Sequence, residues 1–202
     1  MTPGAVRKEP EAGARERLLT AALALFNEKG YAATSVRELV QAAGVMTKPV
    51  LYYYFGNKEG IYLELMDNSH STFESLAAKI GSLEGSAQER IVRFCSDLFD
   101  VSTQNLPLVR LIYAIYYGPP QGAPQFDLDA FFLRMVQLAQ ELVRAGVARG
   151  ELRENSVEDA ARAIVAILSS SINEQLCRNE PRLDREGMLR ILELLMQGIA
   201  KP

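Results

Sequence analysis

SVRELVQAAGVMTKPVLYYYFGNK, residues 35–58, spells two short helices, a tight turn between them and the start of a third. Ser35 and Glu38 have the spacing of a capping box, in which the serine oxygen accepts from an orphan backbone N–H and the glutamate reaches back to the cap. A helix therefore starts there. Val36, Leu39, Val40 and Ala43 recur at helical spacing and turn one apolar face inward, leaving Arg37 and Gln41 outside. Gly44 tolerates the left-handed conformation of a sharp reversal, and Val45 pins the turn to the core. Thr47 is placed to cap the next helix, and Pro49 fits its first turn, where no helical acceptor awaits an N–H. Val50, Leu51, Tyr54 and Phe55 then offer apolar surface, while Lys48, Pro49, Tyr52 and Tyr53 face outward. Gly56 closes this helix and Asn57 caps the third.

Two short helices about a tight turn, the second with Thr, Lys and Tyr at its exposed start, suit a major groove. Short polar groups reach base edges, phenols reach phosphates, and a helix N-terminus attracts phosphate through its free N–H groups. The run from Arg15 to about Leu65, with FNEKGYAATSVRELVQAAGV at 26–45 and LYYYFGNKEGIYLEL at 51–65, resembles the DNA-binding domain of the TetR (tetracycline repressor) family. Between Gly44 and the Leu51–Tyr52 pair the chain has one residue more than that family's usual spacing, and Met46 is the extra one.

The resemblance implies a DNA-contacting set of Ser35, Arg37, Thr47, Lys48, Pro49, Tyr52, Tyr53, Tyr54 and Lys58. Tyr52, Tyr54 and Lys58 match positions that hold phosphates. Arg37, Lys48 and Tyr53 are the candidate base readers.

Length and composition set the frame. The chain has 202 residues, 48% of them hydrophobic, enough for a substantial core. No apolar run approaches the ~20 residues of a membrane span, and MTPGAVRKEPEAGA at the start lacks a signal-peptide core, so a cytoplasmic protein is expected. Cys95 and Cys177 lie too far apart for a metal pair and read as buried small hydrophobes. The net charge of −3 divides unevenly: eight basic residues face seven acidic ones in 1–66, and fourteen face eighteen in 67–202. A DNA face thus depends on where the few basic groups stand.

Residues 1–14 have no periodicity and read as a disordered tail, with Arg7 and Lys8 as solvated charges. A supporting helix follows from about Ala14 to Lys29, within a DNA-binding domain at 15–66. A long helix over 57–80 joins it to a second domain, 67–202, and is the natural lever between the two. Helical patterns follow at about 87–104, 106–117, 126–149, 156–178 and 184–200, and none alternates with a strand period, so the fold class is all-α.

The last two helices are apolar on more than one side, and in the family they pair with their symmetry mates. Such helices lie at a domain centre or meet a partner chain; the resemblance implies a homodimer through 156–178 and 184–200, and a charge at Ile164 or Leu195 should yield monomers or insoluble chain. Tyr113, Tyr116 and Tyr117 bring three hydroxyls within five residues, more than a dry core accepts. With Phe99, Phe132 and Met135 they are the candidate wall of a site for a mostly apolar effector.

No catalytic triad, metal-ligand cluster or phosphate loop stands out, so no enzyme, metal or cofactor is expected. The competing reading is a helical protein-interaction module without specific DNA binding.

Overall fold

In a computed structural model, residues 13–82, 84–154, 157–178 and 183–200 are described, and the tail with Arg7 and Lys8 lies outside them. The described residues form nine α-helices: α1 Ala14–Lys29, α2 Val36–Ala42, α3 Lys48–Phe55, α4 Lys58–Gly81, α5 Ala87–Gln104, α6 Leu106–Tyr117, α7 Leu128–Ala148, α8 Val157–Cys177 and α9 Arg185–Ile199. A single antiparallel bridge, Leu152 to Ala200, is the only extended pairing among them. The expected all-α class holds.

The chain divides into two compact units. The first takes residues up to Asp67 together with Leu111–Phe126, and the second takes Asn68–Arg110 and the rest from Asp127.

In the first unit the helix ends follow local chemistry. Ser35 and Glu38 form the capping box in both directions. At the other end of α2, the Gly44 N–H donates to Gln41 O at 3.1 Å and the Val45 N–H to Val40 O at 3.2 Å. Gly44 has φ +59°, which completes the left-handed helix stop, and Val45 is buried beneath it. Thr47 precedes α3 in an extended conformation, without the side-chain cap expected of it. Asn57 does cap α4, its Oδ1 accepting from the Gly60 N–H at 2.8 Å.

α1 carries the load of this unit. Leu18, Ala22 and Phe26 are buried, and Phe26 packs with Tyr31 and Tyr62 at ring-centroid distances of 5.3 and 6.4 Å. Arg17 Nε donates to Ala43 O at 3.1 Å, tying α1 to the C-terminus of α2 where the helix dipole favours a cation. The loop after α6 sits on the α1–α2 turn: a Cβ on Gly30 would lie 3.1 Å from Gln121 Oε1, and one on Gly122 would lie 3.7 Å from Ala32 Cβ.

The second unit is a helical bundle whose core gathers Phe73, Ala77 and Ile80 of α4 with residues of α5, α7, α8 and α9. Ser86 caps α5 with Glu89, Asp127 caps α7 and Asp184 caps α9. Gly146 lets α7 approach α5, since a Cβ there would fall 2.5 Å from Ala87 Cβ.

One expectation fails in this unit. Cys95 is buried, its thiol pushed up to about 12 by desolvation, but Cys177 is exposed at the end of α8. Ile164 does not face outward to a partner; it is fully buried in the protomer's own core, and Leu195 packs against that core partly covered. The large apolar residues left exposed on the described parts of these two helices are Ile191 and Leu194.

Candidate nucleic-acid interface

The basic residues of the first unit separate into those tied down and those left out. Arg15 pairs with Glu64, Lys29 with Glu38, and Arg17 with the Ala43 carbonyl. Lys58 turns inward: its Nζ donates to Tyr31 O at 2.8 Å and to Thr34 O at 2.9 Å, and stands 4.0 Å from the centroid of the Tyr31 ring. Partial burial lowers its pKa, a cost the carbonyl dipoles and the ring offset. Among the described basic residues of the unit, Arg37 and Lys48 remain exposed and unpaired.

Those two cations stand at the start of α2 and at the first position of α3. Around them Ser35, Thr47 and Pro49 are exposed, and Tyr52 and Tyr53 are 49% and 65% exposed. Leu51 and Phe55 are buried, so α3 is held by one face and offers the other. Its first turn contains no acid, which leaves the positive end of the helix dipole unopposed.

Tyr54 is half-buried, its ring edge-on to Tyr53 at 5.2 Å. The Ser35 hydroxyl is occupied within its capping box.

Electrostatics reinforces the α2 start. The Glu38 carboxyl is held down to about 2, first by its hydrogen bond from Lys29 and then by the Ser35 hydroxyl and N–H. Thr34, buried just before it, donates its hydroxyl to Gly30 O at 2.9 Å. The turn at 30–34 is thus knitted by Thr34 and Lys58, and it delivers Ser35 to its cap.

Sequence reasoning missed the inward roles of Arg17 and Lys58 and the need for Gly60, where a Cβ would lie 1.9 Å from Phe55 O. The GNKEG run at 56–60 carries a signal for the last of these, a glycine three residues after the Asn57 cap.

The candidate effector residues divide between the two units. Tyr113, Tyr116 and Tyr117 belong to the α6 segment of the first, with Tyr117 exposed and its ring 5.5 and 4.7 Å from those of Tyr113 and Tyr116. Phe99 and Met135 are buried in the core of the second, and Phe132 packs against that core.

The family profile described as "Bacterial regulatory proteins, tetR family" matches residues 18–65, which are the helices just described. These residues form a TetR-family DNA-binding domain. Across 102 residues the chain is 28% identical to the "Probable HTH-type transcriptional regulator YttP" of Bacillus subtilis strain 168, a match spanning 49% of this chain and about half, 48%, of YttP. It is 21% identical over 165 residues to the "HTH-type transcriptional repressor NicS" of Pseudomonas putida, covering 81% of this chain and 77% of NicS.

Among solved structures, the TetR-family regulator PfmR from Thermus thermophilus superposes with a TM-score of 0.70 at 29% identity, over 90% of this chain and 97% of PfmR. Residues 18–65 thus carry a TetR-type helix-turn-helix DNA-binding domain, and the fold as a whole is that of PfmR. No helix among the described residues is long and apolar enough to cross a membrane, and no group of metal-ligating residues occurs among them.

Proposed function

We propose that this regulator is a cytoplasmic repressor that binds a near-palindromic operator as a homodimer and is released by a small, mostly apolar effector. The DNA reading is carried by one observation: the exposed and unpaired cations of the described head are Arg37, at the start of α2, and Lys48, at the start of an α3 that presents Tyr52 and Tyr53. Lys48 and Arg37, with Tyr53, serve as base readers; Ser35, Thr47, Pro49, Tyr52 and Tyr54 position the helix on the backbone. Lys58 is better assigned to holding the head together. The repressor role follows the printed name of NicS and the family resemblance.

Dimerisation through α8 and α9 is supported by Ile191 and Leu194, apolar side chains that α9 leaves uncovered in the protomer. Release works by population shift: an effector that fits only a conformer with misplaced heads removes the DNA-binding state by its differential affinity. The candidate effector contacts within the second unit are Phe99, Phe132 and Met135.

The deciding experiment selects sites from a random duplex pool and measures affinity for them against salt. An inverted-repeat consensus and a steep salt dependence, weakened in Lys48→Ala, are expected. Retention that is absent, or independent of salt and sequence, would favour a protein-interaction module instead.

A further inference from the structure

Met46 is 89% exposed, the most of the large apolar side chains left uncovered in the described structure. The fold makes no use of it. Ala43, Val45 and Leu51 anchor the turn from below, and all three are buried. Met46 is also the residue by which this turn exceeds the family's usual spacing, and it stands directly ahead of Thr47 in a run, Met46 to Pro49, that is exposed without interruption.

A side chain at the entry to a reading helix meets phosphate oxygens, sugars and base edges. Phosphates are charged, the sugars are common to every sequence, and among the base edges of the major groove it is thymine that presents an apolar group, its 5-methyl. Methionine is unbranched and polarisable, and it moulds itself to an apolar partner without needing a directed hydrogen bond. Against a phosphate it would gain nothing.

We propose that Met46 reads a thymine methyl in the major groove and is a specificity-determining residue alongside Arg37 and Lys48. This rests on the DNA-reading role given above.

The test uses the full chain and the consensus it selects. Each thymine is replaced singly by deoxyuridine, which removes the methyl and keeps the hydrogen-bonding edge. Wild type should lose affinity about fourfold per half-site at one thymine position, the loss that one unburied methyl predicts. Met46→Leu should retain most of that sensitivity, and Met46→Ala should bind both duplexes about equally with an unchanged melting temperature. Wild type indifferent to every deoxyuridine, or Met46→Ala as sensitive as wild type, overturns the contact and leaves sequence-specific binding standing. A wild type that selects no consensus overturns the binding and the contact together.

Discussion

Replacing Lys58 by methionine keeps the aliphatic stem and removes the ammonium, which separates a clamp from a phosphate contact. In the free protein the ammonium makes two charge-assisted hydrogen bonds, to Tyr31 O and Thr34 O, and lies on the Tyr31 ring. Each such bond contributes roughly 1.5–3 kcal/mol and the ring contact roughly 0.5–1 kcal/mol. Against this, Tyr31 O keeps the Thr34 N–H at 3.2 Å, and the freed side chain recovers about 1–2 kcal/mol of rotamer entropy. A net loss of at least about 2 kcal/mol follows, or a fall in melting temperature of at least roughly 4–8 °C for a chain of this size.

Because the turn it clamps feeds the capping box of α2, DNA affinity should also fall. The slope of log affinity against log salt decides the cause. A clamp leaves that slope unchanged, whereas a lost phosphate contact lowers it by about 0.9 per head. Lys58→Met with wild-type melting and a slope smaller by that amount would refute the clamp.

Leu194→Glu places a charge on α9 where the side chain is 68% exposed, so sedimentation should show a folded monomer. Ile164→Glu buries the charge in the core and should give unfolded or insoluble chain; a dimeric Leu194→Glu would remove α9 from the interface. The Glu38 carboxyl, with its folded pKa held down to about 2 from 4.5, contributes stability that is fully present above its unfolded value and is lost as the pH falls through the folded one. The melting-temperature gap between wild type and Glu38→Gln should therefore shrink from about pH 4.5 downward, and a gap that widens on acidification would contradict it. Gly60→Ala forces a Cβ onto Phe55 O and should destabilise the α3–α4 junction by about 1–3 kcal/mol, weakening binding to all DNA sequences alike; unchanged melting and affinity would show that the junction gives way freely.

The sequence alone determined most of what depends on residues a few positions apart, the side-chain cap expected of Thr47 being the local feature that α3 lacks. The capping box at Ser35, the left-handed stop at Gly44, the proline in the first turn of α3 and the apolar spacing of α5 to α9 are satisfied within one or two turns of backbone. Their boundaries were accordingly legible to within a residue or two, and with them the helix-turn-helix.

Tertiary structure decided what depends on distant partners. Lys58 finds its carbonyls 27 and 24 residues away, and Arg17 finds Ala43 26 residues on, so no local pattern distinguishes these cations from Arg37 and Lys48, which stay free. Apolar spacing likewise measured how much of α8 and α9 is hydrophobic, but not which stripe the protomer's own core would claim. Ile164 went inside and Leu194 stayed out because α5 and α7 cover one side of that pair and leave the other bare.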